Sequence, residues 1–308
     1  MMPNQTQDLK PDHISVCICT FHRPELLSKA LAGVTRQVTE SAFTFEVVVV
    51  DNDHRRSAEE AVRLFQSINA TKVIYDCEPE QNIALARNKA IRIATGNLIA
   101  FIDDDEYPVE EWLIRLYHTI MQYKADGVLG PVLPHFNGNP PEWLIRGKFC
   151  ERKSDHTGKI LHWDDTRTGN VLLNKLIFND ANCRFDQKYG RSGGEDIDFF
   201  KKSIKSGRKF IWCNESPVYE TIPPERWTVK FYFRKNFRIG GISGEIKRKE
   251  NGKLRLFLKV VAASVLYLFL LPIGIFVGRH FILKYMFKLT YNVGWFLGFC
   301  NIQIRRDR

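Results

Sequence analysis

The sequence predicts an α/β fold: a mixed, mostly parallel sheet flanked by helices, followed by a C-terminal hydrophobic helical tail. Three observations predict it. Runs of strand length, rich in β-branched residues, alternate with segments of helical periodicity over about the first 120 residues. Those runs are continuously apolar rather than alternating, as in strands covered on both faces. Polar and acidic residues stand at the carboxyl ends of three of them, where open α/β sheets bind ligands.

The elements follow in order. "HISVCICT" (13–20) is a first strand, and Pro24 then opens a helix with Leu27, Ala30, Leu31 and Val34 at helical spacing. "FEVVVV" (45–50) is a second strand that stops at "DND", Asp51 to Asp53. Ser57 and Glu60 fit a capping box for a helix through about Ile68. "KVIYD" is a third strand, and 82–95 reads as a helix closed by Gly96. "LIAFI" (98–102) is a fourth strand ending on "DDDE", and Pro108 opens a helix carrying Trp112, Leu113, Leu116, Tyr117 and Ile120. Residues 127–182 are full of breakers and read as loops and short strands. "SGGEDIDFFKKSIKSGRKF" gives a Gly-Gly turn, a helix with an acidic start and Gly207 at its end, and "FIWC" is a late strand.

Charge is unevenly distributed. Of the 45 Lys+Arg and 35 Asp+Glu in 308 residues, 15 and 3 fall in residues 231–308, so the body is close to neutral and the tail is basic. The tail interleaves that charge with long apolar runs, which argues against a wet, polar nucleic-acid face, and no nucleic-acid partner is expected. Seven cysteines are scattered with no CxxC pair, so free thiols are expected rather than a zinc site or a disulfide framework. The polar start "MMPNQTQDLKPDH" lacks an apolar core, and no signal peptide is expected there.

Residues 260–277 are eighteen without a charge, at the lower bound for a membrane span, and a second apolar stretch follows at 281–299. Lys247, Arg248, Lys249, Lys253 and Arg255 precede them, and Arg305, Arg306 and Arg308 follow. Both basic flanks favour the cytoplasm, so a re-entrant hairpin or an in-plane helix pair is expected over a single span. A buried core helix is the competing expectation.

Four carboxylates in a row at 103–106 require positive partners. Asp103 and Asp105, two apart, can reach one hard divalent cation, Mn²⁺ or Mg²⁺, whose shell a diphosphate and waters would complete. Arg87 in "NIALARNKA" is either a diphosphate contact or a surface arginine. Glu195 and Asp196 follow two glycines: one of them can act as a general base, or both can simply suit a helix N-terminus. Asp198 is expected to face solvent or a neighbouring basic residue. "DDDE" could alternatively hold two cations for phosphoryl transfer or hydrolysis, although no GxxxxGK[ST] occurs. A non-enzymatic acidic scaffold is a third possibility.

Taken together, "VCICTFHRPELL", "VVVVDND", "NIALARNKAI", "ATGNLIAFIDDDE", "TGNVLLNK", "GGEDIDFFKK" and "FRKNFRIG" resemble, in order, the motifs of family 2 glycosyltransferases with the nucleotide-diphospho-sugar transferase (GT-A) fold. They cover about residues 14–240 and are most similar to the branch of bacterial succinoglycan β-1,4-glucosyltransferases. The resemblance implies an inverting transfer of a hexose, glucose favoured, from a UDP-sugar to a lipid-linked saccharide acceptor at the inner face of the cytoplasmic membrane. It assigns Asp103 and Asp105 to the metal on the diphosphate, and places Asp104 among the donor-binding residues. Thr20, Phe21, Asp51, Asn52 and Asp53 fall in the base and ribose pocket, and Arg87 on the diphosphate. Asp196 becomes the base with Glu195 orienting the acceptor, and Arg234 and Arg238 stabilise the leaving diphosphate. Asn52 stands where an acid is commoner and His22 where Asn is commoner. Residues 1–240 are expected to form the transferase domain, with 13–130 for the nucleotide sugar and 131–240 for acceptor and catalysis. Residues 241–308 would form the membrane-associating tail.

Overall fold

The computed structural model describes residues 11–248 and 253–302. In chain order the elements are β1 (Asp12–Thr20), α1 (Pro24–Val34), β2 (Phe43–Asp51), α2 (Glu59–Ile68), β3 (Val73–Cys77), α3 (Ile83–Ile93), β4 (Leu98–Phe101) and β5 (Glu106–Pro108). They continue with α4 (Trp112–Tyr123), β6 (Gly127–Leu129), β7 (Val132–His135), α5 (Glu142–Arg146), β8 (Val171–Asn174), α6 (Glu195–Lys205), β9 (Phe210–Trp212) and β10 (Val218–Thr221). Four helices end the chain: α7 (Val229–Lys247), α8 (Lys253–Leu270), α9 (Gly274–Val277) and α10 (Arg279–Phe299). Two compact units result. One comprises the chain up to Leu133 with Arg152–Glu220; the other comprises Pro134–Glu151 with the chain from Thr221 onward.

The first unit is built on a seven-stranded sheet of order β3-β2-β1-β4-β8-β6-β9. Pairing is parallel from β3 through β4 and between β6 and β9, and antiparallel on both sides of β8. Continuous apolarity in the strands has a direct cause. Val16, Ile18, Val47 and Val49 bury into one core with Leu27, Leu31, Trp112 and Leu116, whereas Cys17, Val48 and Val50 bury into another with Ala90, Phe101, Phe185 and Phe199. Each fully buried large side chain contributes about 1.5–3 kcal/mol, so both faces are needed to hold the sheet.

Three local expectations are corrected. The Ser57–Glu60 capping box does not form: α2 begins at Glu59 without a side-chain cap from its own loop. The Asp51 carboxylate instead accepts the Ala58 N–H at 2.8 Å, so the end of β2 caps the next helix. Gly96 does not close α3. It lies against β1, where a Cβ would come within 2.5 Å of the His13 carbonyl oxygen. Pro108 does not open α4, which begins at Trp112; it ends the short strand β5, opposite Val218 of β10. That strand belongs to a second, three-stranded sheet of order β5-β10-β7.

In the second unit, Trp143, Phe149, Tyr232 and Phe287 form an aromatic core. Helices α7 and α10 pack backbone to backbone: a Cβ on Gly240 would strike the Tyr291 carbonyl, and one on Gly294 the Phe237 carbonyl. Helix α8 runs antiparallel to α10, with the Asn292 amide donating to Ser264 Oγ at 2.8 Å and Phe257 against Phe296. A left-handed Gly278, φ +122°, makes the reversal between them. The apolar tail is thus a helical hairpin. The stretch Lys253–Val277 is long and apolar enough to cross a membrane, and only 6% of its most apolar window is buried, which removes the buried-core-helix expectation. Lys249, Arg305, Arg306 and Arg308 lie outside the described residues.

Candidate active site

Parallel register aligns the carboxyl ends of the first strands, with Thr20 beside Asp51 and Asp51 beside Cys77. Asp51 is fully buried, and its oxygens accept from the backbone N–H groups of Ala58 and Asp53 and from the Tyr75 hydroxyl at 3.1 Å. Burial pushes its carboxyl up despite those bonds. Asn52 is engaged at both ends: its amide donates to the carbonyls of Glu78 and Glu80 at 3.0 and 2.6 Å, and its oxygen accepts the Asn82 N–H at 2.8 Å. Asp53 places Oδ1 on the Arg55 N–H at 3.0 Å, while buried Oδ2 has His22 Nε2 at 3.5 Å. His22 adopts a left-handed φ of +54°, and Phe21 packs edge-on against it.

The acidic cluster lies after β4. Asp104 Oδ2 accepts the Thr20 hydroxyl at 2.8 Å, tying the ends of β1 and β4 together. Arg23 donates to Asp104 Oδ1 at 3.0 Å and to Asp105 Oδ2 at 3.1 Å. Much of the positive charge that "DDDE" requires is therefore supplied by the chain itself. Asp105 remains electrostatically burdened: burial, then Asp103, Glu220 and Asp104, push its carboxyl up to about 7 against the relief from Arg23. Glu106, also buried, accepts the Asp103 N–H at 3.1 Å and stands opposite Glu220 across β5 and β10. Arg152 pairs with Glu220 at 2.5 Å, offsetting two like charges on facing strands. Gly169 is needed here: a Cβ would lie 2.7 Å from Glu106 Oε1 and 3.2 Å from Asp103 Oδ2.

The second acidic motif is brought to the first by one arginine. Gly193 and Gly194 both take positive φ, +85° and +98°, and turn the chain into α6 so that Glu195 begins the helix. Arg87, on α3, donates to Glu195 Oε1 at 2.6 Å and lies 3.7 Å from Asp103 Oδ1. Burial works against its charge, but Glu195 and Asp103 outweigh it, so the guanidinium stays firmly protonated. The Asn82 side chain caps α3 through the Ala84 and Leu85 N–H groups. Asn88, one position on from Arg87, holds Phe185 by both backbone groups. Asp198 pairs with Lys202 at 2.6 Å, a neighbouring basic residue as expected.

Among the described residues no three His, Cys, Asp or Glu side chains gather as a ready-made metal shell. The donor chemistry nevertheless fits a hard cation held by two carboxylates and ligand oxygens. Asp103 is a carboxylate 43% exposed on its side chain, and Asp105, only 9% exposed, sits among surplus negative charge.

Of the residues singled out in the sequence, Thr20 contacts Asp104, Arg87 contacts both Glu195 and Asp103, and Asp105 is held to Asp104 through Arg23. Asp51, Asn52 and Asp53 stand at the neighbouring strand end, and Asp196 follows Glu195 in the first turn of α6. Arg234 and Arg238 lie on α7 of the second unit. Sequence reasoning missed Arg23, Arg152 and Glu220. Arg23 had a signal, a cation at the end of β1 within reach of an acidic strand end. The other two become neighbours only through tertiary pairing.

Comparison with known proteins gives a consistent result. The family model described as "Glycosyl transferase family 2" matches residues 15–184. Succinoglycan biosynthesis protein ExoM of Rhizobium meliloti (strain 1021) is 33% identical over 266 residues, covering 85% of this chain and 82% of that protein. Glycosyltransferase AglE of Haloferax volcanii is 34% identical over 233 residues, covering 74% and 71%. Among solved structures, S. aureus TarS 1–349 in complex with UDP superposes with a TM-score of 0.54 at 15% identity, covering 96% of this chain and 93% of that one. GalNAc-T7 with UDP, GalNAc and Mn²⁺ gives 0.52 at 15% identity, covering 76% and 51%. At such identities the structural likeness is one of fold.

Proposed function

The chain belongs to glycosyltransferase family 2 and has the GT-A fold, and on that premise we propose that it is an inverting, metal-dependent hexosyltransferase. It would move a hexose, glucose favoured, from a UDP-sugar to a hydroxyl of a lipid-linked saccharide. The setting would be exopolysaccharide or surface polysaccharide assembly at the cytoplasmic face of the bacterial membrane. The observation that carries this reading is Arg87, which contacts both Glu195 and Asp103 and so brings the two acidic motifs together. ExoM, by name a succinoglycan biosynthesis protein, supports the polymer class. The UDP and Mn²⁺ complexes of neighbours sharing the fold support the donor and metal classes.

In this reading residues 1–240 form the transferase domain, with 13–130 binding the nucleotide sugar and 131–240 the acceptor; 241–308 form the tail. Asp103 and Asp105 hold Mn²⁺ or Mg²⁺, which when bound neutralises charge on the diphosphate. Thr20 fixes Asp104 and Arg23 fixes Asp104 and Asp105, so the metal-side carboxylates are preorganised. Thr20, Phe21 and Asp51 to Asp53 line the nucleoside. Arg87 contacts the diphosphate while clamping Glu195, which orients the acceptor. Asp196 takes the proton of the acceptor hydroxyl onto its carboxylate as the oxygen attacks the anomeric carbon from the face opposite the departing UDP. Arg234 and Arg238 retain the role that the family resemblance implies, offsetting charge on the leaving diphosphate. Helix α8 and its basic flank make the tail membrane-associated.

Calorimetry with a panel of nucleotide sugars, with and without Mn²⁺, tests the reading. A UDP-sugar that binds only with metal, and fails to bind Asp105→Ala, supports it. Release of phosphate from nucleoside triphosphates without sugar transfer would instead favour a phosphohydrolase. The tail is tested by removing residues after Arg255: truncated protein that still pellets with anionic vesicles overturns the membrane assignment.

A further inference from the structure

Three helices of the second unit lie side by side, and their contacts match them level by level. Helices α7 and α10 run parallel: Gly240 meets Tyr291 and Gly244 meets Trp295, each so closely that a Cβ would strike the facing carbonyl oxygen. Helix α8 runs the other way along α10, with Phe257 beside Phe296, Ser264 beside Asn292, Tyr267 beside Tyr285 and Gly274 beside Ile282. The middle of α8 is therefore level with the middle of α7. The Gly278 turn lies at the opposite end from Phe257, where Leu283 and Phe287 of α10 pack with Trp143 and Tyr232. One side of α8 and of the turn after it is an apolar stripe. Leu258, Val261, Val265, Phe269 and Phe276 recur at helical spacing, and Phe269 and Phe276 are 75% and 91% exposed. At the opposite edge Lys288 Nζ lies 5.0 and 5.5 Å from the ring centres of Tyr267 and Tyr285, and Lys284 is exposed. Basic side chains mark both ends of the stripe: Lys253, Arg255 and Lys259 are exposed at one, Arg279 at the other.

These levels are incompatible with a span. If α8 stood upright in a bilayer, α7 would stand beside it, and its six charges, Lys230, Arg234, Lys235, Arg238, Glu245 and Lys247, would cross the hydrocarbon. Lys288, level with the middle of α8, would sit near the midplane. The basic ends of the stripe would face opposite sides of the membrane, against the positive-inside bias. A re-entrant hairpin fails for a related reason. Its deepest point would be the Gly278 turn, which is followed by exposed Arg279 and lies at the end where α10 is already packed with Trp143 and Tyr232.

We propose that the tail is monotopic: α8 lies in the plane of one leaflet of an anionic bilayer, its stripe from Leu258 to Phe276 sunk below the headgroups. Helix α10, which packs against both α8 and α7, forms the layer above it and keeps α7 on the water side. Lys253, Arg255, Lys259 and Arg279 then all meet headgroups of the same leaflet. The inference rests on the membrane association proposed above. Both are tested on the full chain with phosphatidylcholine vesicles, with and without phosphatidylglycerol. In a Cys300→Ser background, Leu258→Cys, Val265→Cys, Phe269→Cys, Phe276→Cys and Lys284→Cys are each labelled with a fluorophore. Phosphatidylcholines brominated near the headgroup or near the chain end report its depth. The four stripe labels should share one shallow depth, within about 5 Å of each other, and the Lys284 label should be quenched least. A Val265 label deeper than those at Leu258 and Phe276 would mean a span, and a deepest label at Phe276 a re-entrant hairpin. Either result overturns the in-plane arrangement and leaves membrane association standing. Phe269→Glu should weaken binding to the anionic vesicles about tenfold or more and leave UDP affinity within about twofold; undiminished vesicle binding overturns the stripe. Thermal melts identify any misfolded variant, which Val261→Cys or Leu268→Cys then replaces. Wild type that binds neither vesicle, or covers the stripe by forming a concentration-dependent dimer instead, removes the membrane assignment itself.

Discussion

Two strand ends of the same sheet, one on each side of β1, use their acids in opposite ways. After β2, Asp51 and Asn52 are almost wholly engaged within the chain: Asp51 caps α2 and Asn52 holds the 78–82 loop. After β4, Asp103 faces solvent, Asp105 is held at about 7 by burial and its acidic neighbours, and Arg87 bridges to the next motif. The first end builds the floor of the site. The second concentrates charge that the fold itself leaves only partly balanced. Substitutions at the first should therefore register as lost stability, and at the second as lost turnover.

The largest effect should fall on turnover. Asp196→Asn is expected to lower sugar transfer by about 10²–10⁴-fold while leaving the melting temperature nearly unchanged, because the amide keeps its shape but cannot take a proton. An active Asp196→Asn enzyme would falsify the base assignment. Next comes Arg87→Ala, which breaks the division deliberately: it should cost both activity and about 3–5 kcal/mol in urea unfolding, since Glu195 is left buried without its cation. Adding Glu195→Gln should restore much of the stability but not the activity.

How far the sequence foretold this follows from which signals are local. The parallel half of the sheet was legible because β1, β2 and β4 are each buried on both faces and therefore read as continuous apolar runs. The acidic runs after β2 and β4 stood out because strand ends are where such sheets bind ligands, and Glu195–Asp196 because it follows a Gly-Gly turn. Arg152, Glu220 and Glu106 were not grouped in advance: their proximity depends on β5 pairing with β10, more than a hundred residues away. Glu106–Pro108 is too short to show a strand pattern, and Pro108 read as a helix start for the same reason. The Ser57–Glu60 box failed because Asp51, a tertiary neighbour, reached the helix N-terminus first.

A buried acid with no place at either strand end serves as a control. Glu46 accepts from Ser15 Oγ, the Thr95 N–H and hydroxyl, and Lys72 at 2.6 Å. Burial alone would raise its carboxyl, but the Lys72, Thr95 and Ser15 bonds outweigh it and lower it to about 2. A carboxyl lowered by folding stabilises above its unfolded value and loses that contribution as pH falls toward the folded one. Glu46→Gln should therefore cost about 2 kcal/mol at pH 7, with most of the gap to wild type closing between about pH 4.5 and pH 2 in chemical denaturation curves. Sugar transfer by the folded variant should be unaffected.

The smallest expected effect discriminates most sharply between the two strand ends. Asn52→Ala removes three hydrogen bonds that fasten the turn before α3 and leaves the Asn82 N–H buried without its acceptor. Because net hydrogen bonds contribute about 1 kcal/mol each and the loop can shift toward water, about 1–2 kcal/mol should be lost. Asn52→Asp keeps the acceptor for Asn82 but sets a carboxylate against the carbonyls of Glu78 and Glu80, which can only repel it. If Asn52 mainly holds the fold, Asp should be no better than Ala in denaturant melts, and UDP affinity should fall only as far as the turn loosens. If Asn52 reads the base, Asn52→Asp should instead change the ranking of UDP, CDP and GDP in calorimetry with little change in stability. That result would move the nucleotide contact from the buried floor to Asn52 itself and erase the contrast between the two ends.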